Sequence, residues 1–357
     1  MSPFNATDQW DFDQVDHAAD ILDYHWSNYF TESDVEQIAA WGFNTIRIPI
    51  GFWAFNNTGT PYISGADAYL EKALGWCRNH GIKALICAHG LPGSQNGFDN
   101  SGHRGSANWI TSDGDELQMS LDVLETMVEK YGTTSWSDVV WGLELVNEPV
   151  VWDTSSFGDV TSWAKSAFDA LTGIAGNANL KIIMHDAFVG ASNWEPIGAA
   201  INEGCDESNF YLDLHLYQNQ GVDDSQLQYS DHIQKVCDYK TSQFLPNSTS
   251  LPILVGEFSD EINICVDANG VITPGVSCST TGCQCAANTD TSQWNKYLVN
   301  ATRKFFETEL DVFEKYSEGW FMWSYQGPGA WGMQNLFKYG IIGPNNINER
   351  QFPNQCS

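Results

Sequence analysis

Seven short apolar runs, separated by amphipathic stretches long enough for helices, constrain this chain more than any other feature of its sequence. They are Asn44–Ile50, Lys83–Ala88, Val139–Val146, Lys181–His185, Phe210–Leu216, Pro252–Val255 and Trp320–Ser324. Each is almost continuously apolar, as a strand must be when helices cover both faces of its sheet. Between them lie helix candidates at Ser33–Trp41, Ala66–His80, Gly114–Tyr131, Val160–Ala175 and Ser292–Phe313, the last with charges along a polar face. Alternating β and α units predict a parallel sheet. A length of 357 residues without a composition break fits one (β/α)8 TIM barrel of roughly 250 residues plus insertions. Seven strands are one short of closure, and residues 1–34 hold no strand-like run, only acidic, aromatic and Asn-rich sequence. A barrel lacking a strand exposes two edges. The expectation is a single barrel domain over 1–357 that lacks its first β-strand through N-terminal truncation, with a Cys-rich loop insertion at 259–291.

Charge narrows the partners. Lys and Arg number 16 against 45 Asp and Glu, a formal net charge of -29, which repels nucleic-acid phosphates and anionic lipid. No nucleic-acid or membrane partner is expected, and a monomer is. An acidic surface also suits mildly acidic surroundings, where protonation relieves self-repulsion. The 15 Trp residues supply flat apolar rings of the kind on which the C–H face of a sugar stacks. No run reaches the roughly 18 to 20 apolar residues of a membrane span, and polar residues after Met1 leave no visible signal peptide. Asn-x-Ser/Thr sequons stand at Asn5, Asn56, Asn247 and Asn300, each a glycosylation motif that also arises by chance. Among nine cysteines, Cys265, Cys278, Cys283 and Cys285 crowd a loop-like stretch without histidine. That spacing favours disulfides over a zinc site, and the odd total leaves at least one cysteine unpaired or intermolecular. A secreted, extracellular protein is the consequence.

Two carboxylates carry the chemistry. Glu148 follows Asn147 at the end of LELVNEP (Leu143–Pro149), and Glu257 ends the run LPILVGE. Each sits at the C-terminal end of a strand-like run, where barrel active sites are built. Glycoside hydrolysis needs such a pair: one group protonates the leaving oxygen, and the other attacks the anomeric carbon or activates water.

At these residues the chain resembles glycoside hydrolase family 5, whose motifs include Asn-Glu-Pro and Gly-Glu-aromatic, here Gly256, Glu257 and Phe258. GFNTIRIPIGFWAF (Gly42–Phe55), HGLPGSQNGFDNSG (His89–Gly102), FYLDLHLYQ (Phe210–Gln218) and GWFMWSYQ (Gly319–Gln326) look like its fungal exo-β-1,3-glucanase branch, with coverage from about residue 24 to 343. The resemblance implies a retaining β-glycosidase that releases glucose from β-1,3-glucan by double displacement. Glu257 would be the nucleophile and Glu148 the general acid/base, without metal or organic cofactor. Arg47 would steady the nucleophile, and Asn147 would bind the sugar 2-hydroxyl. His215 and Tyr217, alternating on one strand, would flank the carboxylates. His89, Phe98 and Asp99 would line sugar subsites, and Trp323 would form a platform beneath the sugar. The chain departs from the branch in lacking the first strand's acidic and aromatic pocket residues. It also carries Asn219 and Gln220 where an aromatic commonly follows the His-x-Tyr-Gln stretch. Alternative readings are a β-1,6-glucanase or rutinosidase-like diglycosidase, and a catalytically weak glucan-binding protein.

Overall fold

A computed structural model describes residues 5–110, 115–151, 153–204, 208–221, 223–245, 250–343 and 345–356. The chain forms two compact units, one comprising the residues up to Ala39 with Phe43–Leu212, the other Ala40–Gly42 with Asp213–Ser357.

The first unit holds strands β1 (Thr45–Gly51), β2 (Lys83–Gly90), β3 (Val140–Glu144), β4 (Lys181–His185) and the start of β5 (Phe210–Leu216). β1 pairs with β2, β2 with β3 and β3 with β4, all parallel. The second unit continues β5 and adds β6 (Ile253–Phe258). It also holds a short antiparallel sheet of β7 (Ile264–Val266), β8 (Ile272–Pro274) and β9 (Gln284–Cys285), and finally β10 (Gly319–Met322), parallel to β6. Strand order in the parallel sheet is β1-β2-β3-β4-β5-β6-β10, so every apolar run of the sequence became a strand of it. β4 and β6 are buried throughout, whereas β1 and β10 are mostly half-exposed. These two stand at the ends of the order.

Helices follow the strands as the periodicity predicts: Ala66–His80, Asp115–Tyr131, Thr154–Ile174 and Lys296–Tyr316. Gly81 closes the first of them in the left-handed region at φ 69°, a conformation that costs glycine nothing. Asn295 caps the last by accepting from the Tyr297 and Leu298 amides. Two expectations need correction. The stretch before Asn44 contains no strand among its described residues; the helix expected at Ser33–Trp41 is present as Glu32–Ala40, and two helices not foreseen from the sequence, Gln9–Phe12 and Ala18–Asn28, precede it. Its middle helix buries only Ala18 and Leu22, too few to imprint a periodicity on the sequence. The Cys-rich insertion is not simply loop, because β7–β9 lie inside it. The Cys265–Cys285 disulfide joins facing residues of β7 and β9, Cys278–Cys283 closes the adjoining turn, and Cys237–Cys356 ties the C-terminal segment to the helix Tyr229–Ser242. Cys77 and Cys87 are buried and stand outside these disulfides.

No helix among the described residues is long and apolar enough to cross a membrane. Asn5, Asn56 and Asn300 are exposed, and Asn247 lies outside the described residues.

Candidate active site

In the first unit the arrangement grows from Arg47 on β1. An arginine inside an apolar strand must be paired, and Nε and Nη2 of Arg47 grip both oxygens of Glu144, on β3, at 2.6 and 2.9 Å. The side chains are 4% and 0% exposed, so this is a bidentate, desolvated pair of the strong kind. Nη2 also donates to Asn147 Oδ1 at 2.7 Å and reaches Cys87 Sγ at 3.1 Å. Asn147 is fully buried, and its Nδ2 has no hydrogen-bond partner among the described residues. An amide with its oxygen clamped and its N–H group unsatisfied is a donor held ready for a ligand.

β3 ends at Glu144, and the backbone then alternates between neighbours: Leu145 N–H donates to Ile183 on β4, and Asn147 N–H to Ala88 on β2. Glu148 follows with φ 47°, left-handed for a residue that has a Cβ and a conformation that functional sites retain against its cost. The loop after β2 props it there. Asn100 Nδ2 donates to Glu148 Oε2 at 2.9 Å, and Asn96 Nδ2 donates to its carbonyl at 3.1 Å. Buried Gln95 donates to the His89 and Asn147 carbonyls. A ring nitrogen of His185, at the end of β4, comes within 4.8 Å of the Glu148 carboxylate.

In the second unit, Asp213, His215 and Tyr217 occupy alternate positions on or just after β5, hence one face of it. Asp213 Oδ2 lies 3.2 Å from His215 Nε2, His215 Nδ1 lies 3.5 Å from Glu257 Oε2, and Tyr217 OH donates to that oxygen at 2.7 Å. Asp213 Oδ1 also accepts the Gly256 N–H. A Cβ on Gly256 would stand 2.0 Å from Asp213 Oδ2, so only glycine permits that approach. Trp323 follows β10, with its N–H donating to the Phe258 carbonyl at 2.8 Å, and Tyr217 packs against Trp331 at 5.5 Å between ring centroids.

Three residues after Glu257 begins a buried acidic group. Asp260 and Glu309 are fully buried, and their carboxyl oxygens have no hydrogen-bond donor among the described residues. Burial pushes both far above the ordinary carboxylate range, and the neighbouring Glu309, Glu261 and Glu307 raise Asp260 further. Glu261 is pushed up to about 7 by burial, against a hydrogen bond from the Ala330 amide.

Of the residues singled out in sequence, Arg47, His89, Phe98, Asp99, Asn147 and Glu148 fall in the first unit and His215, Tyr217, Glu257 and Trp323 in the second. Phe98 is 46% exposed and Asp99 is also exposed, whereas His89 is half-buried, with Nδ1 3.8 Å from Cys87 Sγ. The Oδ1 of Asn219 is buried without a partner among the described residues. Sequence reasoning missed Glu144, Asn100, His185 and Asp213. The available signal was a polar side chain in an apolar run: Glu144 and Asp213 interrupt one, and His185 ends one.

The family model Cellulase (glycosyl hydrolase family 5) matches residues 11–328. Glucan 1,3-beta-glucosidase 1 of Schizosaccharomyces pombe is 35% identical over 98% of this chain and 83% of its own length. Glucan 1,3-beta-glucosidase of Candida oleophila is 36% identical over 94% and 79%. Among solved structures, rutinosidase from Aspergillus niger superposes with a TM-score of 0.73 at 17% identity, covering 94% of this chain and 90% of that one. Endo-glycoceramidase II from Rhodococcus gives a TM-score of 0.53 at 15% identity, covering 85% and 70%. These structural likenesses bear on fold alone, and the fold is of the (β/α)8 type.

Proposed function

The chain belongs to glycosyl hydrolase family 5, and from that premise we propose that it cleaves single glucose units from β-1,3-glucan with retention of configuration. It is a glycoside hydrolase of the glucan 1,3-β-glucosidase type, the activity for which its relatives are named. In this reading Glu257 attacks the anomeric carbon while Glu148 protonates the departing oxygen. Water then hydrolyses the glucosyl ester with Glu148 as base. Arg47 fixes Asn147, whose free N–H donates to the sugar 2-hydroxyl, a contact that strengthens in the transition state. Phe98, Asp99 and His89 line the sugar subsites, and Trp323 lies beneath the ring. The observation that carries the reading is the Asn147 amide: fully buried, its oxygen clamped by Arg47, its donor unspent, and next in sequence to a strained Glu148. The disulfides and the -29 charge support work outside the cell on a neutral polysaccharide.

Trapping tests the roles. A 2-fluoro glucosyl fluoride forms its ester quickly and loses it slowly, so the peptide bearing Glu257 is expected to gain one fluoroglucosyl mass. Glu257→Gln is expected to remove both the label and the release of glucose from laminarin. A label on another carboxylate, or near-normal turnover by the variant, rejects the assignment.

A further inference from the structure

We infer that Asp213 is a positioning residue for the nucleophile, acting by two routes that meet at Glu257; the inference rests on the reading of Glu257 given above. Asp213 is fully buried and spends its two oxygens on different partners. Oδ1 accepts the amide N–H of Gly256, the residue before Glu257, and so anchors the backbone that carries the nucleophile. Oδ2 faces His215 Nε2 at 3.2 Å. A carboxylate is acceptor-only, so Nε2 must carry the proton. The ring is thereby held with Nδ1 toward Glu257 Oε2, at 3.5 Å. The oxygen that Nδ1 approaches also receives the Tyr217 hydroxyl at 2.7 Å, so the ring and the hydroxyl orient the same carboxylate oxygen. Fixing a ring's tautomer and orientation through a carboxylate on its far nitrogen is how outer partners tune a reactive group. The glycine at 256 belongs to the same device, because any side chain there collides with Asp213.

A double-mutant cycle on kcat tests this. Asp213→Asn keeps the size and can still accept the Gly256 N–H, but it offers its N–H group to His215 Nε2 and so reverses the tautomer. The expected result is a fall in kcat of about tenfold or more with KM changed less than about threefold. Asp213→Asn combined with His215→Gln should be no slower than His215→Gln alone. If the two losses multiply, or Asp213→Asn keeps the parent kcat, the inference is overturned. Nitrogen-15 NMR of the unmutated protein gives a reading that needs no variant to fold: protonated Nε2 on His215 is expected, and unprotonated Nε2 overturns the proposal. Failure of the nucleophile reading is recognised separately, by the fluoroglucosyl label appearing on a residue other than Glu257.

Discussion

At the scale of single residues, the first unit depends on one buried ion pair. Glu144 neutralises Arg47, and Arg47 in turn orients Asn147. Removing one partner of such a buried pair is strongly destabilising, at a cost of about 3–5 kcal/mol. Glu144→Gln is therefore expected to lower the unfolding free energy by about that amount in urea titration. It should also slow glucan hydrolysis at least about tenfold, since the guanidinium loses the partner that aims it. A variant with parent stability would mean that Arg47 is satisfied elsewhere. Residue-level chemistry was partly legible in the sequence. Glu148 and Glu257 were visible because each follows an apolar run, and Arg47 because it interrupts one. The partners Glu144 and Asp213 were not, because a buried acid reveals its function only through the donor opposite it. Arg47 lies 97 residues from Glu144, and the Gly256 amide lies 43 residues from Asp213.

At the scale of elements, β6 and the helix Lys296–Tyr316 meet near buried carboxyls whose pKa values burial raises. Asp260, just after β6, is raised by its own burial and by Glu309 and Glu307 on that helix and Glu261 on its own segment, and its charge in turn raises Tyr229. Glu309 neighbours Tyr239. Glu307 is instead held by Arg303 and by the Gln351 and Phe352 amides. A carboxyl whose pKa is higher folded than unfolded binds more protons in the native state throughout the interval between the two values. Its stabilising effect is thus complete below the ordinary carboxylate range and is lost as pH rises toward the folded value. For Glu261 that interval ends at about 7, and for Asp260 and Glu309 it extends upward from the ordinary range. Thermal melts are expected to fall steadily from about pH 5 to about pH 8, and Glu309→Gln should flatten the decline. Equal slopes in parent and variant would show that these carboxyls ionise without cost. The elements themselves were largely readable, since all seven apolar runs became strands. The helix Ala18–Asn28 and the small sheet β7–β9 were not, because neither buries a periodic apolar face long enough to register.

At the scale of the whole molecule, a charge of -29 acts on every approaching ligand. Neutral glucan should be hydrolysed with kcat/KM nearly independent of salt. A carboxymethylated glucan should be disfavoured at low ionic strength and recover as the Debye length shrinks from about 30 Å at 0.01 M to about 10 Å at 0.1 M. Identical salt responses for the two substrates would contradict long-range repulsion. What the sequence determined alone was local and periodic: the alternation of strand and helix, the apolar strands and the acidic field, because each depends only on neighbouring residues or on a sum over the chain. Position at the ends of apolar runs marked the two carboxylates, and motif resemblance assigned their roles. What only the tertiary structure decided was pairing. It set Glu144 against Arg47, Asp213 against Gly256, and Asp260 near Glu309 without a donor among the described residues. Hydrogen bonds and desolvation act over a few ångströms, and residues that close in space are brought together only when distant strands and helices pack.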